Sequence, residues 1–140
     1  MNQLPALAHA TAPQLCVVIP VLNERDNIAP LVARLNEVLA GIAWEAIFVD
    51  DDSTDGTREA VRAVAQADPR VRLLHRIGRR GLSSAFIEGA QASLAPYIAA
   101  MDGDMQHDET LLPHMLAALR DDGYELAIGS RYVAGGGVGD

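Results

Sequence analysis

Leu15-Cys-Val-Val-Ile-Pro-Val21 is apolar at every position and is followed at once by Leu22-Asn-Glu24. A strand with one face in water alternates apolar and polar residues. An unbroken, β-branched run is expected of a strand covered on both faces, as in a parallel sheet. Downstream, Ile28, Leu31, Val32, Leu35, Val38 and Leu39 fall on one helical face, with Pro30 in the first turn and Gly41 as terminator. Asn23 to Asn27 supply helix-start chemistry ahead of it.

The same alternation continues. A strand is expected over 44–50, a turn over 51–56, and a helix over 57–67 with Val61, Val64 and Ala65 inward. A third strand over 71–75 leads into a basic loop bracketed by Gly78 and Gly81, then a helix over 82–94 rich in Ala, Ser and Gly. A fourth strand over 97–101 precedes a helix marked by Leu111, Leu112, Met115, Leu116 and Leu119, and a fifth strand is expected over 125–129. Strands alternating with helices give one α/β domain: an open, mostly parallel sheet with right-handed crossovers and helices on both faces. Residues 1–14 read as a loose leader and 15–140 as the domain.

Composition narrows the function. With 49% hydrophobic and 21% charged residues the chain is globular. The net charge of −8 argues against general affinity for nucleic acid or an anionic membrane surface. No apolar run approaches the ~20 residues that cross a bilayer. The single cysteine, Cys16, lies in the first apolar run and reads as a small buried hydrophobe. The start lacks a basic n-region and a long apolar h-region and does not read as a signal peptide; with a single cysteine excluding an internal disulfide, a cytoplasmic location is expected. All 11 basic residues are arginine.

Ligands of open parallel sheets bind beyond the carboxyl ends of the strands, near the point where strand order reverses. Polar residues stand at those ends: Pro20 to Glu24, Asp50 to Ser53, Asp102-Gly103-Asp104, and Ser130-Arg131. If the strand order is 3-2-1-4, these segments face one crevice. Two carboxylates about 5 Å apart repel by roughly 3 kcal/mol at an effective dielectric of ~20. Asp-x-Asp occurs twice among twelve aspartates, so the pattern alone carries little. At the end of an apolar strand, however, two oxygens leaving on the same side suit a Mg²⁺ or Mn²⁺ ion whose shell phosphates and waters complete. Gly103 lets a ligand approach the backbone, and Gln106 is within reach as a further oxygen. Arg79 and Arg80 suit either a phosphate or a solvated turn. Trp44 and Phe86 read as core.

"VVIPVLNE", "FVDDDSTDGT", "HRIGRRGLSSAFIEGA", "AMDGDMQHDETLLPHML" and "IGSRYVAGGG" resemble, in order and spacing, the family 2 glycosyltransferases, and most nearly the dolichol- or polyprenol-phosphate mannosyltransferases, over about 15–137. The resemblance implies a GT-A, Rossmann-like fold that holds a nucleotide-sugar donor through an acidic metal motif. It implies that Pro20, Leu22 and Glu24 line the nucleotide pocket and that Phe48, Val49, Asp50 and Asp51 contact base and ribose. Asp102 and Asp104, with Gln106, then bind the metal, Gly103 between them contacts the donor, and Arg131 pairs with the diphosphate. Asp102, Asp104 and Arg131 carry the catalytic role. The implied reaction moves a sugar, mannose from GDP-mannose, to a polyprenol or dolichol phosphate at the membrane surface.

The alternatives are a UDP-sugar donor, or a donor-binding remnant without catalysis. Relatives of this kind continue with an acceptor-side segment and attach to the membrane face, so the chain is expected to be truncated after 140. It departs from the pattern at Leu22 (often aromatic), Asp52 (usually Gly), Thr54 (frequently Pro) and Gly103 (commonly Ala). A phosphorelay receiver would need a lysine, which is absent. An aspartyl-nucleophile hydrolase carries Asp-x-Asp after its first strand; here the motif follows the fourth.

Overall fold

The computed structural model describes residues 12–105, 108–125 and 127. Its elements are β1 (Leu15–Val21), a 3₁₀ turn (Arg25–Asn27), α1 (Ile28–Val38), β2 (Trp44–Asp50), α2 (Thr57–Ala67), β3 (Val71–His75), α3 (Leu82–Gln91), β4 (Tyr97–Ala100) and α4 (Leu111–Asp121). The strand expected over 125–129 lies largely outside the described residues.

The four strands form one parallel sheet in the order β3-β2-β1-β4. β1 is central because its apolar run serves both faces. Leu15, Val17, Ile19 and Val21 join Ala46 and Phe48 under α1, α2 and α4, where Ile28, Leu31, Leu35, Val61, Leu112 and Leu116 complete the larger core. On the other face Cys16 and Val18 join Ile47, Val49 and Ala85 of α3. Each fully buried Val, Leu, Ile or Phe contributes about 1.5–3 kcal/mol relative to exposure. Cys16 is fully buried, and burial pushes its thiol up to about 11, so it packs rather than reacts.

α3 approaches the sheet closely because Gly89 has no side chain: a Cβ there would lie 2.4 Å from Val18 Cγ1 and 3.1 Å from Val49 Cγ2. The helix ends at Gln91, three residues before the expected end. Pro96 bars Ala95 from helical conformation. Ser93 Oγ instead accepts the Ala95 N–H at 3.0 Å, which turns the chain into β4.

Candidate functional site

The carboxyl ends of the strands are laced together by backbone bonds. Asp51 N–H donates to Val21 O at 3.1 Å, Arg76 N–H to Asp50 O at 2.8 Å, and Met101 N–H to Val18 O at 3.1 Å. The loops beyond them are tied as well. Asn23, expected to start a helix, has φ 54° and stitches two loops: its N–H donates to Ser53 Oγ at 2.9 Å, and its Oδ1 accepts from Thr54 N–H at 2.9 Å. Glu24 N–H donates to Thr57 Oγ1 at 3.0 Å, and Arg25 N–H to Asp55 Oδ2 at 3.3 Å. The hydrogen bonds from Thr57 and Arg25 hold the Asp55 carboxyl below the usual range.

These ties frame a crevice of about 360 Å³ lined by Pro20, Val21, Leu22, Glu24, Asp51, Arg80, Gly81, Leu82, Asp102, Gly103 and Asp104. Glu24, Asp51, Asp102 and Asp104, from three different strand ends, therefore share one space. Leu22 is 46% exposed and offers an apolar wall. A second, more open groove of about 490 Å³ runs between α1 and α2 and is lined mainly by Ala and Val. Its one carboxylate, Asp68, is already clasped by Arg70 at 2.8 Å, so it lacks reactive chemistry.

Three of the expected donor contacts are placed elsewhere. Phe48 and Val49 are fully buried, in the larger and smaller cores respectively, because alternate residues of a two-sided strand must point inward. Asp50 is also fully buried and does not line the crevice. Its carboxylate accepts from Ser53 N–H at 3.1 Å, from the Ser53 hydroxyl and from Arg58 Nη1 at 2.8 Å. Burial pushes its pKa up, but the Ser53 and Arg58 bonds together outweigh this and hold it below the ordinary value. Asp50 shapes the turn; Asp51 is the residue of β2's end that meets the crevice.

Gly103 also has a packing reason. A Cβ on it would lie 2.6 Å from Val21 Cγ1 and 3.6 Å from Pro20 O, so the Asp102–Asp104 segment crosses tightly over the end of β1. Asp52 has φ 63° and is steadied by His75 Nε2 at 2.9 Å. Trp44 is buried with Arg70 stacked 4.2 Å from its ring centroid, and Phe86 packs on the smaller core, both as expected of core residues. Gln106 and Arg131 lie outside the described residues.

Sequence reasoning missed Arg76. Its guanidinium is fully buried and makes five bonds: Nε and Nη2 to the two oxygens of Asp51 at 2.7 and 2.9 Å, Nη1 to Ser84 Oγ at 2.8 Å and Glu88 Oε2 at 2.7 Å, and Nη2 to Gly81 O at 3.1 Å. The Asp51 bonds and then the Glu88 bond raise its pKa against the cost of burial, and Arg76 followed by Arg79 holds Glu88 low. The only signal in the sequence was a charged residue directly after an apolar strand.

The donor set suits a hard divalent cation. Asp102 is half-buried and Asp104 exposed at the rim, and both offer oxygen only. Among the described residues no group of three His, Cys, Asp or Glu side chains could hold a metal alone. A cation here would draw on one or two carboxylates and complete its shell with water and phosphate, the usual pattern for Mg²⁺. No helix of the described residues is long and apolar enough to cross a membrane.

Residues 16–140 match the family described as Glycosyl transferase family 2. A dolichol-phosphate mannosyltransferase of Pyrococcus furiosus is 38% identical over 125 residues, covering 89% of this chain and 35% of that protein. A second, from Saccharomyces cerevisiae, is 38% identical and covers 87% and 46%. A polyprenol monophosphomannose synthase of Mycolicibacterium smegmatis is 38% identical and covers 96% and 51%. The chain thus spans between about a third and a half of the length of these relatives. Among solved structures, a mannosyltransferase from Pyrobaculum calidifontis in complex with GDP-Man and Mn²⁺ superposes with a TM-score of 0.65 at 26% identity, over 80% of this chain and 34% of that one. Glucosyl-3-phosphoglycerate synthase from Mycobacterium tuberculosis, at 21% identity and a TM-score of 0.62 over 78% and 40%, shares the fold. The parallel sheet and its helices are those of a GT-A glycosyltransferase.

Proposed function

The chain belongs to glycosyl transferase family 2, and from that premise we propose that it is a divalent-metal-dependent glycosyltransferase moving mannose from GDP-mannose to a polyprenol or dolichol phosphate, with the donor held in this crevice. The observation that carries this reading is the convergence of Glu24, Asp51, Asp102 and Asp104 on one crevice at the switch point of the sheet. The names of the relatives, and the GDP-Man and Mn²⁺ of the P. calidifontis complex, support the choice of donor, metal and acceptor class.

Each residue then has a task. Asp51, fixed by Arg76, accepts hydrogen bonds from donors on the base or ribose, while Pro20 and Leu22 give the base an apolar wall. Glu24, at the same rim, accepts from donor hydroxyls. Asp102 and Asp104 would hold the cation, with Gln106 as a further oxygen, and Arg131 would pair with the diphosphate as a planar fork. When bound, the cation neutralises charge on the leaving diphosphate. An oxygen of the acceptor phosphate forms the new bond to the anomeric carbon, and the bond from that carbon to the diphosphate breaks, its electrons leaving with the nucleoside diphosphate. A phosphate oxygen is already anionic, so no strong general base is required. Peripheral contact with the membrane face would present such an acceptor.

Titration calorimetry of the chain with GDP-mannose, GDP and UDP, with and without MnCl₂ or MgCl₂, tests the reading, followed by radiolabelled transfer to polyprenyl phosphate. Metal-dependent binding that prefers guanine nucleotides and is lost in Asp104→Ala is expected. Unchanged affinity in Asp104→Ala removes the metal assignment, preference for UDP moves the donor, and binding without transfer favours a donor-binding module.

A further inference from the structure

Around the crevice stand four carboxylates and, among the described residues, one cation, Arg80. Asp51 is already matched by the buried Arg76, and a nucleoside diphosphate would add further negative charge to the space that Arg80 lines. Arg80 is set apart from the other arginines. Among those of the described residues, all but Arg62 and Arg80 make an ion pair with a carboxylate, and Arg62 lies exposed on α2, away from the crevice. The adjacent Arg79 is spent on Glu88 at 2.8 Å.

The backbone that carries Arg80 is nevertheless held on both sides. Arg80 O accepts from Ser84 Oγ at 3.3 Å, and Gly81 O accepts from the buried Arg76 at 3.1 Å. Arg76 is the same residue that grips Asp51, so the loop is fixed to the crevice while its outermost guanidinium stays available. Leu82, 67% exposed, extends apolar surface beside it at the same mouth.

We propose that Arg80 is a phosphate-binding residue of the crevice, contacting either the donor's diphosphate or the phosphate of a lipid acceptor. The identity of those two sources rests on the functional reading above; the phosphate chemistry does not. A charge-assisted fork on a phosphate is lost on truncation to alanine and only partly restored by lysine, which supplies a point charge without the fork.

The test compares the unmodified chain with Arg80→Ala and Arg80→Lys in MnCl₂. Calorimetry reads inorganic pyrophosphate and GDP, ligand-observed NMR reads guanosine, and steady-state transfer reads the KM for polyprenyl phosphate. Contact with the donor predicts at least about ten-fold weaker GDP and pyrophosphate binding in Arg80→Ala, with guanosine unchanged and partial recovery in Arg80→Lys. Contact with the acceptor predicts unchanged GDP binding and at least about ten-fold higher KM for polyprenyl phosphate. If Arg80→Ala alters none of these while the unmodified chain binds GDP, the proposal fails and the functional reading survives. Equal weakening of guanosine and GDP also overturns it, because the loop and not a phosphate contact has then changed. Arg80-dependent pyrophosphate binding without GDP or UDP binding leaves Arg80 standing and removes the functional reading.

Discussion

Arg76 and Asp51 meet fork to fork, Nε and Nη2 lying 2.7 and 2.9 Å from the two carboxylate oxygens, with no part of the arginine side chain exposed. The pair joins the end of β2 to the loop before α3, the two walls of the crevice. Removing the guanidinium leaves the Asp51 and Glu88 carboxylates without the cation they share. Arg76→Met is expected to lower stability by about 3 kcal/mol, the lower end for breaking a buried pair because both carboxylates are partly exposed. Arg76→Lys should lose less, since charge survives although the fork does not. Urea denaturation of the three chains measures both; a loss below about 1 kcal/mol in Arg76→Met would show that the hub is dispensable.

Asp50 makes acid sensitivity predictable. Its folded pKa lies below its unfolded value of about 3.9, so its stabilisation is fully present above that value and is lost as pH falls through the folded one. Glu88, depressed by Arg76 and Arg79, acts in the same direction. Stability should therefore decline most steeply below about pH 4. Asp50→Asn should be less stable at pH 7 and show a shallower decline between pH 5 and 3. Urea midpoints across that range decide it, and parallel curves for the two proteins would contradict the assignment.

At Gly89 two effects oppose each other. Alanine in a helix interior is favoured over glycine by roughly 0.5–1 kcal/mol. Against this, the added Cβ would sit 2.4 Å from Val18 Cγ1 and 3.1 Å from Val49 Cγ2, on side chains that are buried and stiff at χ1. Overpacking typically costs 1–3 kcal/mol, so packing wins and Gly89→Ala should destabilise. A thermal midpoint at or above that of the unmodified chain would mean that α3 moves outward freely.

The patterns legible in the sequence were those written in side-chain periodicity. The two-sided run at Leu15–Val21 gave a central strand, and helical spacing from Ile28 to Leu39 and from Thr57 to Ala67 gave α1 and α2. The convergence of Glu24, Asp51, Asp102 and Asp104 followed from the strand order. What could not be read depended on direction within a strand end. Adjacent aspartates look alike in one dimension, yet pleating sends Asp50 to Arg58 and Asp51 to Arg76. Arg76 was hidden for the same reason, because its partners are 25 and 12 residues distant. Gly103 read as an opening for ligand and does line the crevice, but its second role, close packing of the segment on Val21, was not readable.

That contact links packing to the site. Asp102 and Asp104 flank Gly103, whose hypothetical Cβ would approach Val21 Cγ1 to 2.6 Å, and Val21 is only 4% exposed. Gly103→Ala must therefore rotate a buried valine or lift the Asp102–Asp104 segment from β1. The expected loss is about 1–3 kcal/mol of stability, together with weaker Mn²⁺-dependent donor binding as the two carboxylates shift. Val21→Ala opens the space, so in that background Gly103→Ala should cost at least about 1 kcal/mol less, a coupling within the range for residues in contact. A double-mutant cycle by urea denaturation measures the coupling, and calorimetry with GDP and MnCl₂ reads the site. If the two substitutions simply add, the crossing over β1 does not position the aspartates, and their geometry is set by the residues that follow.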